Sequence, residues 1–473
     1  MRYSVMAIMV VVGGAFIAFC FSAIQLWHVD YGWHDQQRIF QLSLMVVVAL
    51  FSILLPRPAL PALVILMLAG IFILGFFSSY FSAFTGWAYK EWARYCGLTV
   101  LAVFVASLAE KKGVVGFLIF MMCFVGLIHV VQFVSAYLAA IVSVRNFDPH
   151  VMFSGFSNPR FFSQFQVMLF PVLSALIVFC WQNQLKRVGC FLMSILAVQW
   201  CIGFALGGRG GLLGVLASHV VVVLINWRFW RLTAYQVTAA SIGLCLYLIS
   251  FFIIPFALGQ DWAPHHVIRT SLSGRDLIWQ WAYEMALSSP WLGIGPMHYA
   301  VVINPIAAHP HQVILQWLSE WGGMATGLAL ALGIWGIVRG AGFLRHSSTS
   351  GLDSGVWAAI IGALVLAQVD GVFVMPYCET WLVVLIGIAL GRYLQVFPEL
   401  LCQKIFFILI SISAVLVLGQ TLLKEVPGLP QEEAKFIHES RAGWKPRFWE
   451  QGWIPSTASE CGGIKNCLHN KNL

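Results

Sequence analysis

Three segments of the chain combine residue types suited to holding an anion and moving a proton. The first is Ala205-Leu-Gly-Gly-Arg209-Gly-Gly-Leu-Leu213. A guanidinium between two apolar runs is costly unless it meets a partner or a water-filled cavity. Glycines on both sides would let a large anion reach it and the backbone amides that open the next helix. The same pattern also suits a tight interhelical turn with one snorkelling arginine. The second segment, Arg269-Thr-Ser-Leu-Ser273-Gly-Arg275-Asp276, reads as a loop turning into an amphipathic helix, with Ser273 as N-cap, Asp276 in the first turn and apolar residues at 277, 278, 281, 282, 285 and 286. Arg275 would sit at the positive end of that helix, a poor location for a cation unless an anion binds there. The alternative is a surface arginine paired with Asp276 or Glu284. The third is His309-Pro310-His311-Gln312, with Glu320 and Gly322 following. Pro310 favours a helix start and puts His311 in the first turn, where an imidazolium is disfavoured and the ring is able to accept a proton. An interfacial histidine without a chemical task has the same signature.

The elements that must position these residues follow from composition. The chain has 473 residues, 60% hydrophobic and 10% charged, against roughly half and a quarter in soluble proteins. Its apolar runs are continuous, which excludes a β-barrel and predicts an all-α, polytopic helical bundle. Thirteen spans are expected: 4–26, 39–55, 58–78, 93–109, 114–138, 161–181, 188–206, 210–226, 234–258, 312–336, 356–374, 379–396 and 404–422. They form a transmembrane domain over 1–422 with one long loop at 259–311, followed by an aromatic-rich tail over 423–473. The first run lacks a cleavage site and is expected to be a retained helix.

With the N-terminus in the cytoplasm, the cytoplasmic loops carry twelve of the 27 Lys and Arg but three of the 19 Asp and Glu. The basic excess therefore sets orientation, with no reason to invoke nucleic acid. Every cytoplasmic loop is short and none carries a nucleotide-binding motif. Chemistry is thus expected on the opposite, periplasmic side of a bacterial inner membrane, driven by the substrate itself, such as a lipid-linked diphosphate.

Five histidines fall on that side, at 265, 266, 298, 309 and 311, but without a chelating spacing, so no metal is expected. Mid-span His129 and His219 are expected to be satisfied by neighbouring helices, and Asp370 to partner an arginine. Cys461 and Cys467 suit either a small disulfide loop or two free thiols. Trp444, Phe448, Trp449 and Trp453 suit membrane-interface anchoring or carbohydrate contact.

Four pieces stand in order along the chain. They are Gly155-Phe-Ser-Asn158-Pro159-Arg160-Phe-Phe; Gly208-Arg209-Gly210; Ser273-Gly274-Arg275 with Trp279 and Pro290-Trp-Leu-Gly-Ile-Gly-Pro296; and His309-Pro310-His311-Gln312 with Glu320 and Gly322. This order resembles the O-antigen ligase superfamily, which includes O-antigen polymerases and O-linked protein oligosaccharyltransferases. Family ligases carry Gly, Thr or Tyr where this chain has Ala325, with Thr326 one residue later.

The resemblance implies a GT-C-like glycosyltransferase, independent of metal and cofactor. It would move a glycan en bloc, with inversion, from undecaprenyl diphosphate to an acceptor hydroxyl. Arg209 and Arg275 would neutralise the diphosphate, and His311 would orient or deprotonate the acceptor. Arg160, Arg269 and His309 are further diphosphate contacts; Gln312, Glu320, Asp370 and Asn158 would support them. Membrane lipid contacts the bundle, and cavities between spans would hold the polyprenyl chain. The acceptor is a protein such as pilin, the lipid A core, or a growing glycan. A thirteenth span and a 51-residue tail favour protein. The rival from another class is a lipid-linked glycan transporter, for which the expected repeat of two related halves is not evident.

Overall fold

In the computed structural model the described residues are 2–28, 30–53, 60–144, 147–259, 274–302, 304–346, 350–393, 401–440 and 445–454. Among them the secondary structure is helical, without strands. The main helices are α1 (Arg2–Phe21), α2 (Trp33–Ser52), α3 (Ala62–Phe81), α4 (Thr85–Leu108), α5 (Lys112–Ser143), α6 (Phe162–Gln182), α7 (Lys186–Leu206), α8 (Arg209–Ile225), α9 (Trp230–Leu248), α10 (Arg275–Ser288), α11 (Val313–Arg345), α12 (Gly351–Leu366), α13 (Pro376–Tyr393), α14 (Leu401–Lys424) and α15 (Leu429–Ser440).

A helix coincides with each apolar run of the sequence, and α10 is the amphipathic helix of the long loop. Among the described residues, eight helices are long and apolar enough to cross a membrane, and three shorter apolar helices accompany them. The chain is a multi-pass membrane protein.

Small residues bring the helices close, as expected where van der Waals contact replaces the hydrophobic effect. A Cβ at Gly214 of α8 would lie 2.7 Å from the Gly362 carbonyl of α12. One at Gly391 of α13 would lie 2.5 Å from the Ala106 carbonyl of α4. α6 packs between α7 and α12, while α2, α4, α13 and α14 form a second group. α11 lies mainly against α3 and α10.

Two helices begin six or more residues before their apolar runs. α2 starts at Trp33 and α4 at Thr85, rather than at 39 and 93. Their extra turns carry Asp35, Arg38 and Glu91, and Arg94 follows just inside the expected run of α4; all four are buried. The helices continue through these charges because each finds partners. Arg38 donates to Glu379 of α13 and to Gln41, both at 2.5 Å. Its remaining N–H groups reach the carbonyls of Val374, at 2.7 Å, and Phe448, at 3.0 Å. Arg94 forks onto Glu91 at 2.8 and 2.7 Å and also donates to Glu379. Arg447 of the tail donates to Glu320 of α11 at 2.6 Å and lies 3.6 Å from Glu91. Three guanidiniums thus meet three carboxylates at one end of the bundle.

Removing one member of a buried ion network leaves its partner charged and unpaired, at a cost of ~3–5 kcal/mol. Glu379→Ala strands both Arg38 and Arg94, so the purified variant should melt far below the wild type. An unchanged Tm would contradict this role for the network.

Candidate functional site

His311 stands at the same end. Its backbone is left-handed, with φ 51°. That conformation costs a non-glycine roughly 1–2 kcal/mol, and bonds on both sides hold it. The His311 N–H donates to His309 Nδ1 at 3.2 Å, and the two rings lie 4.0 Å apart between centroids. The Trp279 indole of α10 donates to the Pro310 carbonyl at 2.9 Å. The Val313 N–H donates to Ala367 at 3.0 Å. The helix expected to start at Pro310 therefore starts at Val313, with Gln312 as N-cap accepting from the Leu315 N–H at 2.5 Å. Gln312 also donates to Gln368 at 3.2 Å. Its role is to hold the helix start, and His311 precedes the helix instead of lying in its first turn.

Asp370, expected near the end of a span as partner to an arginine, lies in the loop after α12 and faces His311 instead. His311 Nδ1 and Asp370 Oδ1 are 3.4 Å apart, and the two side chains are 23% and 22% exposed. Burial would raise the Asp370 carboxyl, but His311 and the Gly371 N–H outweigh it and hold the group below the usual carboxylate range. An ionised Asp370 can stabilise a proton gained by His311. Nε2, the other ring nitrogen, is left for that proton.

The arginines reach this end by different routes. Arg209 is exposed at the first position of α8. The glycines around it mostly serve packing, which corrects the expectation that they clear space for an anion. A Cβ at Gly208 would lie 2.6 Å from Ser163, and one at Gly210 2.7 Å from Leu366. Only the left-handed Gly207, φ 69°, faces open space. Arg160 sits one turn before Ser163, whose hydroxyl donates to the Arg160 carbonyl at 2.7 Å. Asn158 caps that turn by accepting from the Arg160 N–H at 3.0 Å, which fixes the local backbone.

Arg275 is half-buried at the start of α10 and forms no ion pair with Asp276 or Glu284. Gly274, φ 75°, is the N-cap in place of Ser273, which lies outside the described residues. Arg275 and Trp279 are four apart and share a helix face, and Trp279 touches the His-Pro-His segment. The apolar stripe of α10, Ile278, Ala282 and Met285, packs on Tyr299 and Val302. The helix lies against protein.

α11 is broken at Gly322, with φ 77° and ψ 172°. The Pro290–Pro296 segment fills the break. Ile294 N–H donates to Ser319 at 2.9 Å, Gly295 N–H to Glu320 at 3.1 Å, and Gly323 N–H returns to Pro290 at 2.8 Å. Side-chain bulk at Gly293 or Gly322 would collide with backbone at 2.6 Å or closer. Two motifs separated in sequence thus form one joint.

Several expected site residues have structural tasks. Glu320 is buried and bonded to Arg447 and to the Tyr299 N–H, at 2.9 Å for the latter. His309 is buried; burial first, then His311 and Arg447, hold its imidazole well below the usual value, so it offers no charge to a phosphate. His298 accepts from the Phe84 N–H at 2.9 Å and contacts the Pro296 carbonyl, also at 2.9 Å. His219 Nδ1 bonds to its own helix at the Val215 carbonyl, and His129 sits among Phe153, Phe156 and Phe162 with neither ring nitrogen bonded among the described residues. Neither histidine is satisfied by a neighbouring helix as expected.

The tail aromatics Phe448, Trp449 and Trp453 are buried against the bundle end instead of facing lipid or sugar. Arg269, His265, His266, Trp444, Cys461 and Cys467 lie outside the described residues. Arg38, Glu91, Arg94, Glu379 and Arg447 were missed by the motif reading. For all but Arg447 the sequence carries a signal: ionisable residues inside or beside apolar helices.

Beside the site runs an apolar groove of about 650 Å³ lined by α3, α4, α11, α12 and α13. It extends from Val313 and Gln368 at the site end to Arg339 at the other.

Residues 190–330 match the family model described as O-antigen ligase. The match supports the O-antigen ligase superfamily, and with it a membrane enzyme of the O-antigen ligase and polymerase type with glycosyltransferase-like activity. The matched region contains Arg209, Arg275, His309, His311 and Glu320. No curated protein matches the chain.

Burial foremost lowers the His298 pKa to about 4. The unfolded chain takes that proton near pH ~6.5. Stability from neutral His298 is therefore complete above that pH and is lost as pH falls toward 4. His298→Asn should lose less Tm than the wild type between about pH 7 and about pH 5; equal losses would contradict it.

Proposed function

We propose that the protein is a membrane oligosaccharyltransferase of the O-antigen ligase type. It moves a glycan en bloc from undecaprenyl diphosphate to a hydroxyl on the periplasmic face, with Ser or Thr of a protein such as pilin as acceptor. The observation that carries this reading is the His311–Asp370 contact at 3.4 Å, with Arg209, Arg275 and Arg160 at the same bundle end. The neighbouring groove suits a polyprenyl chain, whose hydrocarbon would lie along α11 with the diphosphate at the site end.

In the proposed step the acceptor oxygen attacks the anomeric carbon as its proton passes to His311 Nε2. The bond from that carbon to the diphosphate oxygen breaks, and its electron pair leaves with the lipid diphosphate. Arg209 and Arg275 meet that growing charge; guanidinium forks suit phosphate oxygens. Attack opposite the leaving group inverts the anomeric centre, and no residue in this scheme needs a metal. The last long helix and the tail behind it favour a protein acceptor over lipid A core or a growing glycan.

His311→Ala, Arg209→Ala and Arg275→Ala should each lower transfer by ~10²-fold or more while the chain still accumulates in the membrane. Asp370→Asn should cost about tenfold in kcat, since His311 keeps its nitrogen but loses its counter-charge. The assay is performed in cells by comparing pilin mass with the lipopolysaccharide ladder. Loss of the glycan from pilin alone supports the protein acceptor, and loss from the ladder alone overturns it. Normal transfer by all three alanine variants would overturn the whole reading, as would glycan transport without a covalent product.

A further inference from the structure

The segment 445–454 forms a strap across the bundle end that carries the site. It touches the stretch leading to His309 and His311 at three places. The Lys445 ammonium donates to the Asn304 carbonyl at 3.0 Å, Arg447 to the Ala308 carbonyl at 3.4 Å, and the Ile454 N–H to the Ala300 carbonyl at 3.1 Å. From its other side the strap is gripped by α2. His34 Nε2 lies 3.2 Å from the Arg447 carbonyl, Arg38 donates to the Phe448 carbonyl at 3.0 Å, and the Glu450 N–H donates to Asp35 at 2.6 Å. Arg447 is itself one of the three buried guanidiniums and holds Glu320, on the helix that follows His311. The strap's turn depends on Gly452, φ 83°, where a Cβ would lie 1.6 Å from the Lys445 carbonyl.

We infer that the strap completes the active site from a distance, with Arg447 as a positioning residue that fixes the 299–311 segment and so the orientation of His311. This rests on the proposed transfer function, but the geometry it concerns is measurable without transfer. Arg447 lies outside the matched region 190–330, so the strap adds a fixed point that the shared domain does not contain.

The test is hydrogen–deuterium exchange on the full-length protein in detergent, combined with steady-state transfer kinetics. In Arg447→Met, the amides of 299–311 should exchange ~10-fold faster or more, while those of α6, α7 and α12 stay protected. kcat should fall ~10-fold or more with the donor KM changed less than about twofold, because His311 is displaced while diphosphate contacts remain. Gly452→Ala disrupts the strap's turn without removing a buried charge and should give the same pattern. Arg447→Lys, which keeps the charge, should recover part of kcat.

Unchanged exchange at 299–311 in both Arg447→Met and Gly452→Ala overturns the inference. So does faster exchange throughout the bundle in both, which would make the strap a general stabiliser. A wild-type chain that transfers no glycan would refute the proposed function, while the exchange comparison would still decide whether the strap orders the segment.

Discussion

The buried arginine–glutamate network is the constraint on which the rest of this structure depends. Glu379 lies between Arg38 and Arg94, Glu91 beside Arg94, and Arg447 between Glu320 and Glu91. Any one of these charges alone would be very unfavourable inside an apolar bundle. Together they balance, and satisfying them requires α2, α4, α11, α13 and the tail to meet in one register. Gln41 adds to the join by donating to Glu379 and Thr380, both at 2.8 Å. The network therefore converts a desolvation penalty into a geometric specification.

That specification separates two populations of charge. The internal guanidiniums are consumed by carboxylates and backbone carbonyls. Arg209 and Arg275 lie outside that network, with Arg209 exposed and Arg275 half-buried. His311 follows the same division: His309, one residue removed, is buried and structural, whereas His311 is partly exposed and faces Asp370. A rigid interior thus supports a partly exposed face, which is what positioning an anionic donor would require.

Much of this was legible in the sequence because hydropathy is additive along a helix. Long apolar runs located every main helix that packs into the bundle, and the amphipathic spacing of residues 277–286 located α10. The early turns of α2 and α4 were not legible in that way. A run that begins only after Arg38 or Glu91 registers the cost of the charge, while Glu379, which binds Arg38 and Arg94, lies hundreds of residues away. Arg447 and Phe448 were obscured for the same reason, their tail composition matching an interface anchor as well as a buried strap. Around Arg209 the glycines were visible but ambiguous. Only Ser163, Leu366 and Gly362 opposite them reveal that packing takes most of the space. The start of α11 differs from the sequence expectation because Pro310 is a good first helical residue, whereas the Trp279 bond and capping by Gln312 place the first turn three residues later.

The most direct test of the central claim is reconstitution of the purified protein in liposomes with an undecaprenyl-diphosphate-linked glycan and a pilin acceptor. No nucleotide is supplied and a chelator is present. Release of one undecaprenyl diphosphate for each glycan found on the acceptor is the predicted result. Glycan crossing the bilayer still attached to its lipid, or no diphosphate released with the folded protein present, would contradict it.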